Sequence, residues 1–226
     1  MRKITLIAFA LLCAFAPQAM AQTWTEVATN SELTSAITDG ANIRLTADIT
    51  LSAYLSIGNG STQTVTLDLN GYALKRNIAE AYADGHVIEV HSQGTLTVVD
   101  NNGGGIISGG RANNGGGICN YGTLYFQGDT ITNCLAASQG GGIKNNSGAT
   151  VTMSGGTILG CWGEDCGGIF NAAGGTLNIS GGAITGNTSN AGGGGVVNYG
   201  TATITGGTIT GNHATTRGGG IWTNAR

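Results

Sequence analysis

Short runs in which apolar and polar residues alternate recur along the second half of the chain. Each run centres on an isoleucine, and apolar residues stand five and seven positions before it. Alternation with period two predicts strands with one buried face, and the runs are too short and too rich in glycine for amphipathic helices. The central isoleucines are Ile131, Ile158, Ile184 and Ile209, and the apolar pairs before them are Leu124/Phe126, Val151/Met153, Leu177/Ile179 and Ala202/Ile204.

A glycine-rich tetrad that ends in an aliphatic residue marks the same repeat. Its five copies, at residues 115–118, 140–143, 166–169, 193–196 and 218–221, lie 25, 26, 27 and 25 residues apart. A period of this length is typical of a solenoid, whose repeats bury their apolar faces only by stacking on one another. Strands stacked about 4.8 Å apart would form an all-β parallel β-helix. Each coil of about 25 residues is predicted to contain three strands.

Small polar residues recur at two predicted corners of the coil. Asparagine stands two residues after the aliphatic end of four tetrads, where it can adopt left-handed backbone geometry and hydrogen bond to its copies in neighbouring coils. The second corner lies three residues after the central isoleucine. Both sets predict ladders along the solenoid. The first ladder is Asn120, Asn145, Asn171 and Asn198, and the second is Cys134, Cys161, Asn187 and Asn212.

The first 21 residues have the features of a cleavable signal peptide. Arg2 and Lys3 precede an apolar run at residues 4–15, and small residues precede a cleavage site before Gln22. The run is too short to span a bilayer as a stable helix. We therefore expect an exported bacterial protein that is secreted or held at the cell surface. No transmembrane segment is predicted after cleavage.

Residues 22–114 are predicted to form an N-terminal cap and less regular coils of the same solenoid that residues 115–226 continue. An edge strand is expected at residues 23–27, followed by a short capping helix that begins at Ser31 and ends near Gly40. This helix would shield the open end of the core. Because the sequence stops within a repeat, at Arg226, we expect a larger polypeptide beyond it or a last coil covered by another element.

Charge narrows the possible partners. Loss of Arg2 and Lys3 with the signal peptide leaves seven basic and twelve acidic residues, a formal charge of −5. Nucleic acids and anionic membranes call for clustered Lys and Arg, so neither is an expected partner.

Four cysteines remain in the exported chain, and export makes disulfides possible. Cys134 and Cys161 occupy the same corner of successive coils, within disulfide range if the stacking is regular. A bond between Cys161 and Cys166, across one turn, is the alternative. The cysteine spacing is unlike a zinc site and no histidine lies nearby, so no metal or other cofactor is predicted.

The repeats resemble those of a known family. The tetrad GGGI with a downstream I-x-x-N, at residues 184–187 and 209–212, is similar to the repeats of chlamydial polymorphic outer-membrane proteins. Residues 66–72, TLDLNGY, resemble a stretch common in secreted bacterial right-handed β-helix proteins of the pectin-lyase-like fold. The resemblance implies right-handed coils and a surface-exposed, adhesin-like role. Glycine replaces alanine in the tetrad, isoleucine replaces phenylalanine in the second motif, and no autotransporter barrel is visible.

Polysaccharide lyases and hydrolases share the fold that this resemblance implies, so an enzyme is the alternative. Such chemistry needs acid and base groups that converge. Glu89 and His91 stand two apart in one strand and could act as a general base with its orienting partner, although alternation with Ile88 and Val90 also explains them as an outward polar face. His86 lies beside a loop without an evident acid partner. Charged residues are sparse after Gly115.

Exposed aromatic rings could bind ligands without acid and base groups that converge, because the rings stack on sugars and protein loops. We therefore predict a non-catalytic, adhesin-like protein that binds glycans or other surface ligands. A third hypothesis is ice binding by threonines that flank the central isoleucines, although Leu159 and Ala183 interrupt that ladder and threonine is common in solvated strands. The candidate binding residues are Tyr121, Tyr125, Trp162, Phe170, Tyr199 and Trp222.

Overall fold

A computed structural model describes residues 22–224, which form a right-handed type of parallel β-helix with about seven coils. The predicted signal peptide at residues 1–21 and the last residue, Arg226, lie outside the described residues. Within residues 22–224, no helix has the length and apolar character needed to cross a membrane.

The elements of residues 22–114 are β1 (Thr25–Val27), α1 (Asn30–Ala36), β2 (Ala41–Leu45), β3 (Ile49–Thr50), β4 (Leu55–Ile57), β5 (Gln63–Asp68), β6 (Ala73–Lys75), β7 (Ile88–Val90), β8 (Gly94–Val99), β9 (Ile106–Ser108) and β10 (Arg111–Asn114). Those of residues 115–224 are β11 (Ile118–Asn120), β12 (Thr123–Phe126), β13 (Thr130–Thr132), β14 (Leu135–Gln139), β15 (Ile143–Asn145), β16 (Thr150–Met153), β17 (Thr157–Leu159), β18 (Trp162–Gly163), β19 (Ile169–Asn171), β20 (Thr176–Ile179), β21 (Ala183–Thr185), β22 (Thr188–Ser189), β23 (Val196–Asn198), β24 (Thr201–Ile204), β25 (Thr208–Thr210), β26 (His213–Ala214) and β27 (Ile221–Thr223).

Strands of successive coils stack in parallel into four sheets. Sheet A contains β1, β2, β5, β8, β12, β16, β20 and β24; sheet B contains β3, β6, β9, β13, β17, β21 and β25; sheet C contains β4, β7, β11, β15, β19, β23 and β27; and sheet D contains β10, β14, β18, β22 and β26. The aliphatic ends of the five tetrads pair with one another in sheet C, which confirms the predicted coil period.

Sheet D makes a fourth strand in each coil from Arg111 onward, so the prediction of three strands per coil is wrong for this part of the chain. Its strands are as short as the two residues Trp162–Gly163, and they carry no apolar alternation that would have revealed them. Sheets A, B and C, in contrast, run through residues 22–114 in register with the regular repeats.

The core is the column of inward-facing aliphatic and aromatic side chains. Alternating strand residues point into the solenoid, and Leu124, Phe126 and Ile131 are fully buried there, as the sequence predicts. The last coil differs, because no further described coil stacks on it. Ile204 and Ile221 are 41% and 46% exposed, although their pattern predicts burial.

The N-terminal end of the core is covered by α1. Thr29, rather than Ser31, is the N-cap: its side chain accepts a hydrogen bond from the Glu32 amide, and Glu32 accepts one from Thr29 in return. The helix ends at Ala36, before the predicted end near Gly40, and buries Leu33 in the core. The predicted edge strand is β1, at the open edge of sheet A.

The asparagines at the first corner hydrogen bond to one another in series. Asn120 Nδ2 donates to Asn145 Oδ1 over 2.8 Å, and the two following links, from Asn145 to Asn171 and from Asn171 to Asn198, are each 2.7 Å. The expected left-handed backbone at these corners is wrong, because each asparagine ends a strand of sheet C and turns its side chain inward. Positive φ at non-glycine residues in the described part of the chain occurs at Asn70, Asp129 and Asn133.

Candidate ligand-binding face

One column of outward side chains runs along the whole of sheet C. In β4 and β7 the first and third residues are buried and the middle one is partly exposed, and alternation in register places the middle residue of each later strand on the same outward side. The side chains of this column include a hydroxyl group, a carboxylate, a thiol, an ammonium group, an aliphatic group and aromatic rings. In order of coils, it contains Ser56, Glu89, Cys119, Lys144, Phe170, Val197 and Trp222.

The middle of this column is covered even though it lies outside the core. Phe170 and Val197 are 3% and 1% exposed, and they pack with Cys166 in a second apolar cluster. The chain turns closely over this face where sheet D leads into sheet C. Gly140 has a φ of +72°, and a Cβ there would lie 2.3 Å from the Ile143 carbonyl oxygen, so only glycine fits. Beside this turn the face forms the floor of a groove, which is lined by Gln139, Lys144, Phe170, Ala172, Ala173 and Tyr199.

Aromatic rings from successive coils form a row at the C-terminal end of the groove. The ring centroids of Phe170 and Tyr199 are 5.5 Å apart, and those of Tyr199 and Trp222 are 5.1 Å apart. A cation flanks each end of the row, because Lys144 Nζ lies 4.2 Å from the Phe170 ring centre and Arg217 Cζ lies 4.2 Å from that of Trp222. Tyr199 and Trp222 are partly exposed.

A cavity of about 270 Å³ lies beside the row, between Gln139, Lys144, Phe170 and Tyr199. The Lys144 ammonium contacts the Gln139 side-chain oxygen, and burial lowers the pKa of Lys144. The cavity therefore offers apolar ring surface together with amide and ammonium donors. This combination suits a ligand that has both apolar faces and hydroxyl or carboxylate oxygens.

At the N-terminal end of the same column, Glu89 is flanked by two histidines that lie just outside β7. Glu89 Oε2 lies 2.8 Å from His86 Nε2, and Glu89 Oε1 lies 3.4 Å from His91 Nδ1. The expectation that His86 has no acid partner is wrong, because the chain folds back between β6 and β7 and brings this histidine beside Glu89. In the sequence, the spacing of three residues between His86 and Glu89 was the feature that could have indicated this contact.

The charge of Glu89 is stabilised by these neighbours. Burial by itself raises the pKa of Glu89, but the close approach of His86 and the charges of His86 and His91 outweigh it, so the pKa is lowered. A cavity of about 260 Å³ adjoins the carboxylate, with Cys119 and Tyr121 on its wall. Burial raises the pKa of the Cys119 thiol, which leaves that group protonated and unreactive.

The structure brings together only three of the six candidate aromatic residues, Phe170, Tyr199 and Trp222. Phe170 is buried and forms the floor of the groove, whereas the sequence pattern suggested an exposed ring. The other three stand apart from the row. Tyr121 lies near Cys119, Tyr125 on the outward side of sheet A, and Trp162 in sheet D.

All four cysteines of the described chain are buried free thiols. Cys134 and Cys161 stand at the same corner of adjacent coils and face the core, where their side chains interact directly. Cys166 instead packs in the outer cluster with Phe170 and Val197. This arrangement separates Cys161 from Cys166, and the Cys134–Cys161 bond stays a prediction.

Asn187 and Asn212 continue the second corner as a ladder. The Asn187 amide Nδ2 donates to Asn212 Oδ1 over 3.0 Å, and the backbone amide of Cys161 donates to Asn187 Oδ1 over 2.9 Å. These side chains support the coil bend and lie away from the groove.

The longest threonine ladder of the described residues lies on sheet A, whereas the sequence pattern suggested one on sheet B. Its outward residues pair in register through six successive coils without interruption. The ladder predicted on sheet B is broken by Leu159 and Ala183, as expected. The unbroken column consists of Thr64, Thr95, Thr123, Thr150, Thr176 and Thr201.

No protein-family model, curated protein or solved structure matches this chain. The fold is that of a parallel β-helix.

Proposed function

We propose that this chain is a secreted or cell-surface β-helix protein that binds glycans in the groove on sheet C. The row formed by Phe170, Tyr199 and Trp222 carries the proposal. Sugar rings present apolar C–H faces that stack on aromatic rings, and their hydroxyl groups take hydrogen bonds from nearby donors. The aromatic row supplies the stacking surface, and Gln139 and Lys144 supply the hydrogen-bond donors.

Rigidity of the scaffold supports a binding role. The three aromatic residues lie on or next to strands β19, β23 and β27, whose backbones pair in continuous register. A site built on paired strands loses little conformational entropy when a ligand binds. The cations at the two ends would favour an anionic glycan over a neutral one of the same shape.

Retention on an array of neutral and acidic polysaccharides tests the proposal, with purified protein of residues 22–226. Alanine at Tyr199 or Trp222 should each weaken binding about fivefold, since a stacking contact contributes on the order of 1 kcal/mol. Tyr125→Ala is the matched control, because Tyr125 is an exposed aromatic residue on sheet A. Equal loss in all three variants, or no retention by the unmodified protein, would contradict the proposal.

The threonine column of sheet A favours a second candidate, ice binding. Six threonines at a coil spacing of about 4.8 Å form a regular array of hydroxyl and methyl groups on sheet A. Growth of ice crystals in the presence of the protein tests it. Thr150→Lys should abolish any inhibition of growth, whereas Tyr199→Ala should leave it unchanged. Absence of inhibition by the unmodified protein excludes this candidate.

A further inference from the structure

A serine hydroxyl completes the acid–histidine cluster at the N-terminal end of sheet C. Ser56, in β4, stands next to Glu89, in β7, in the outward column. Its Oγ lies 3.0 Å from Nε2 of His91, while the other ring nitrogen of His91, Nδ1, faces Glu89 Oε1 over 3.4 Å. The three side chains thus form the series hydroxyl, imidazole, carboxylate, in which each group contacts the next.

This order of contacts suits a neutral His91 that carries its proton on Nδ1, on the side of Glu89. Nε2 is then free to accept the proton of the Ser56 hydroxyl. Glu89 is ionised at neutral pH, and His86 holds its other oxygen from 2.8 Å away. A nucleophile beside a base that a third group orients is the arrangement that activates a hydroxyl for covalent catalysis.

The backbone of Ser56 supplies a hydrogen-bond donor beside its own hydroxyl. In β4, Leu55 and Ile57 bond to β7: the Leu55 amide donates to the Val87 carbonyl, and the Ile57 carbonyl accepts from the His91 amide. The backbone groups of successive residues in a parallel strand point to alternate sides, so the Ser56 amide points away from β7. There β4 is the edge of sheet C, and among the described residues that amide has no partner.

Substrate can reach this cluster from solvent. The side chain of His91 is 24% exposed and that of Glu89 is 14% exposed, and Ser56 is partly exposed. The Tyr54 ring packs on His86, with ring centroids 4.6 Å apart, and covers that histidine. The nucleophile and base are therefore accessible, while the groups that orient them are more buried.

We propose that Ser56, His91 and Glu89 form a hydrolytic site for carboxylic esters. Ser56 Oγ attacks the ester carbonyl carbon as its proton passes to His91 Nε2, and the negative oxygen that forms accepts a hydrogen bond from the Ser56 amide. The C–O bond to the alcohol breaks, and His91 returns the proton to the departing alcohol. A water molecule, deprotonated by His91, then attacks the acyl-serine and releases the acid with the free hydroxyl.

A fluorophosphonate probe tests the nucleophile directly, because a serine oxygen that displaces its fluoride keeps a covalent phosphonate label. After incubation of the purified protein, peptide mass mapping should locate the label on Ser56. Ser56→Ala should abolish labelling, and His91→Gln should slow it about 100-fold or more, as loss of a general base does. Ser108→Ala is the matched control, since Ser108 is a partly exposed serine on the outward side of sheet B.

Glu89 is a positioning residue in this scheme, and its test is rescue by the conservative variant. Glu89→Gln should slow labelling, because the imidazole loses the carboxylate that orients it, and Glu89→Asp, which keeps a carboxylate, should restore part of the rate. Hydrolysis of p-nitrophenyl acetate should follow the same order among the variants, and circular dichroism melting should show that each remains folded. An unlabelled Ser56 in folded protein, or labelling of His91→Gln at the unmodified rate, would overturn the assignment.

Discussion

Asp129 makes the stability of this β-helix depend on pH, and Asp129→Asn should remove that dependence. The Asp129 side chain is 7% exposed, and neither of its oxygens has a hydrogen-bond partner in the described chain. The carboxylates of the neighbouring Asp68 and Asp100, in contrast, have partners. Asp68 pairs with Arg44 over 2.9 Å, and Asp100 accepts hydrogen bonds from backbone amides. Burial first, and then the charges of Asp100 and Asp68, raise the pKa of Asp129 to about 8.

The sign and size of the effect follow from this pKa. An unfolded aspartate has a pKa of 3.8, so below about pH 4 both states are protonated and the residue costs nothing. As the pH rises from about 4 to about 8, only the folded state holds the proton, and the free energy of unfolding falls. At pH 7 the cost is about 4 kcal/mol, from roughly three pKa units at about 1.4 kcal/mol each.

Asparagine preserves the shape of the protonated acid and tolerates the φ of 66° at this position. Urea unfolding followed by circular dichroism at pH 4, 7 and 9 should give similar stabilities for both proteins at pH 4. At pH 7 and 9, Asp129→Asn should be more stable by about 4 kcal/mol or more. Glu80→Gln, in an exposed loop, is the control and should leave the free energy of unfolding unchanged at each pH. Equal dependence on pH in Asp129→Asn and the unmodified protein would refute this account.

Two further predictions concern the corners. Asn145→Ala should destabilise the protein by about 3 kcal/mol in urea unfolding, because it leaves the Asn120 amide and the Thr176 carbonyl without their partner, whereas Asn178→Ala, on the outward side of sheet A, should cost under about 1 kcal/mol. Peptide mapping without reduction, after air oxidation, should find Cys134 linked to Cys161, and four alkylated thiols would contradict that pairing.

Much of the fold follows from the sequence because burial imposes a period on it. Inward positions such as Leu124 and Phe126 must be apolar in every coil, and the tetrads must be glycine-rich where the chain turns closely over sheet C. These requirements produce a repeat that is visible in the sequence.

The strands of sheet D produce no such pattern. Strands as short as Thr188–Ser189 are held by backbone pairing and need no apolar alternation.

The candidate sites depend on register, which sequence reveals only where the repeat is regular. Phe170 and Trp222 follow tetrads, so their common column could be predicted, but the groove beside them also depends on where Gln139 and Tyr199 lie. Ser56 precedes the first tetrad, in coils separated by irregular loops. No count of residues from a repeat could place its hydroxyl against His91.

The two ends of the outward column can be tested independently because the solenoid keeps them apart. Six coil steps separate Ser56 from Trp222, a distance of about 29 Å at 4.8 Å per step. Substitutions this far apart, without shared partners, act additively. Trp222→Ala should therefore weaken glycan retention without altering the label on Ser56, and Ser56→Ala should abolish the label without altering retention. Loss of both properties in either variant would indicate a disturbed fold rather than two sites.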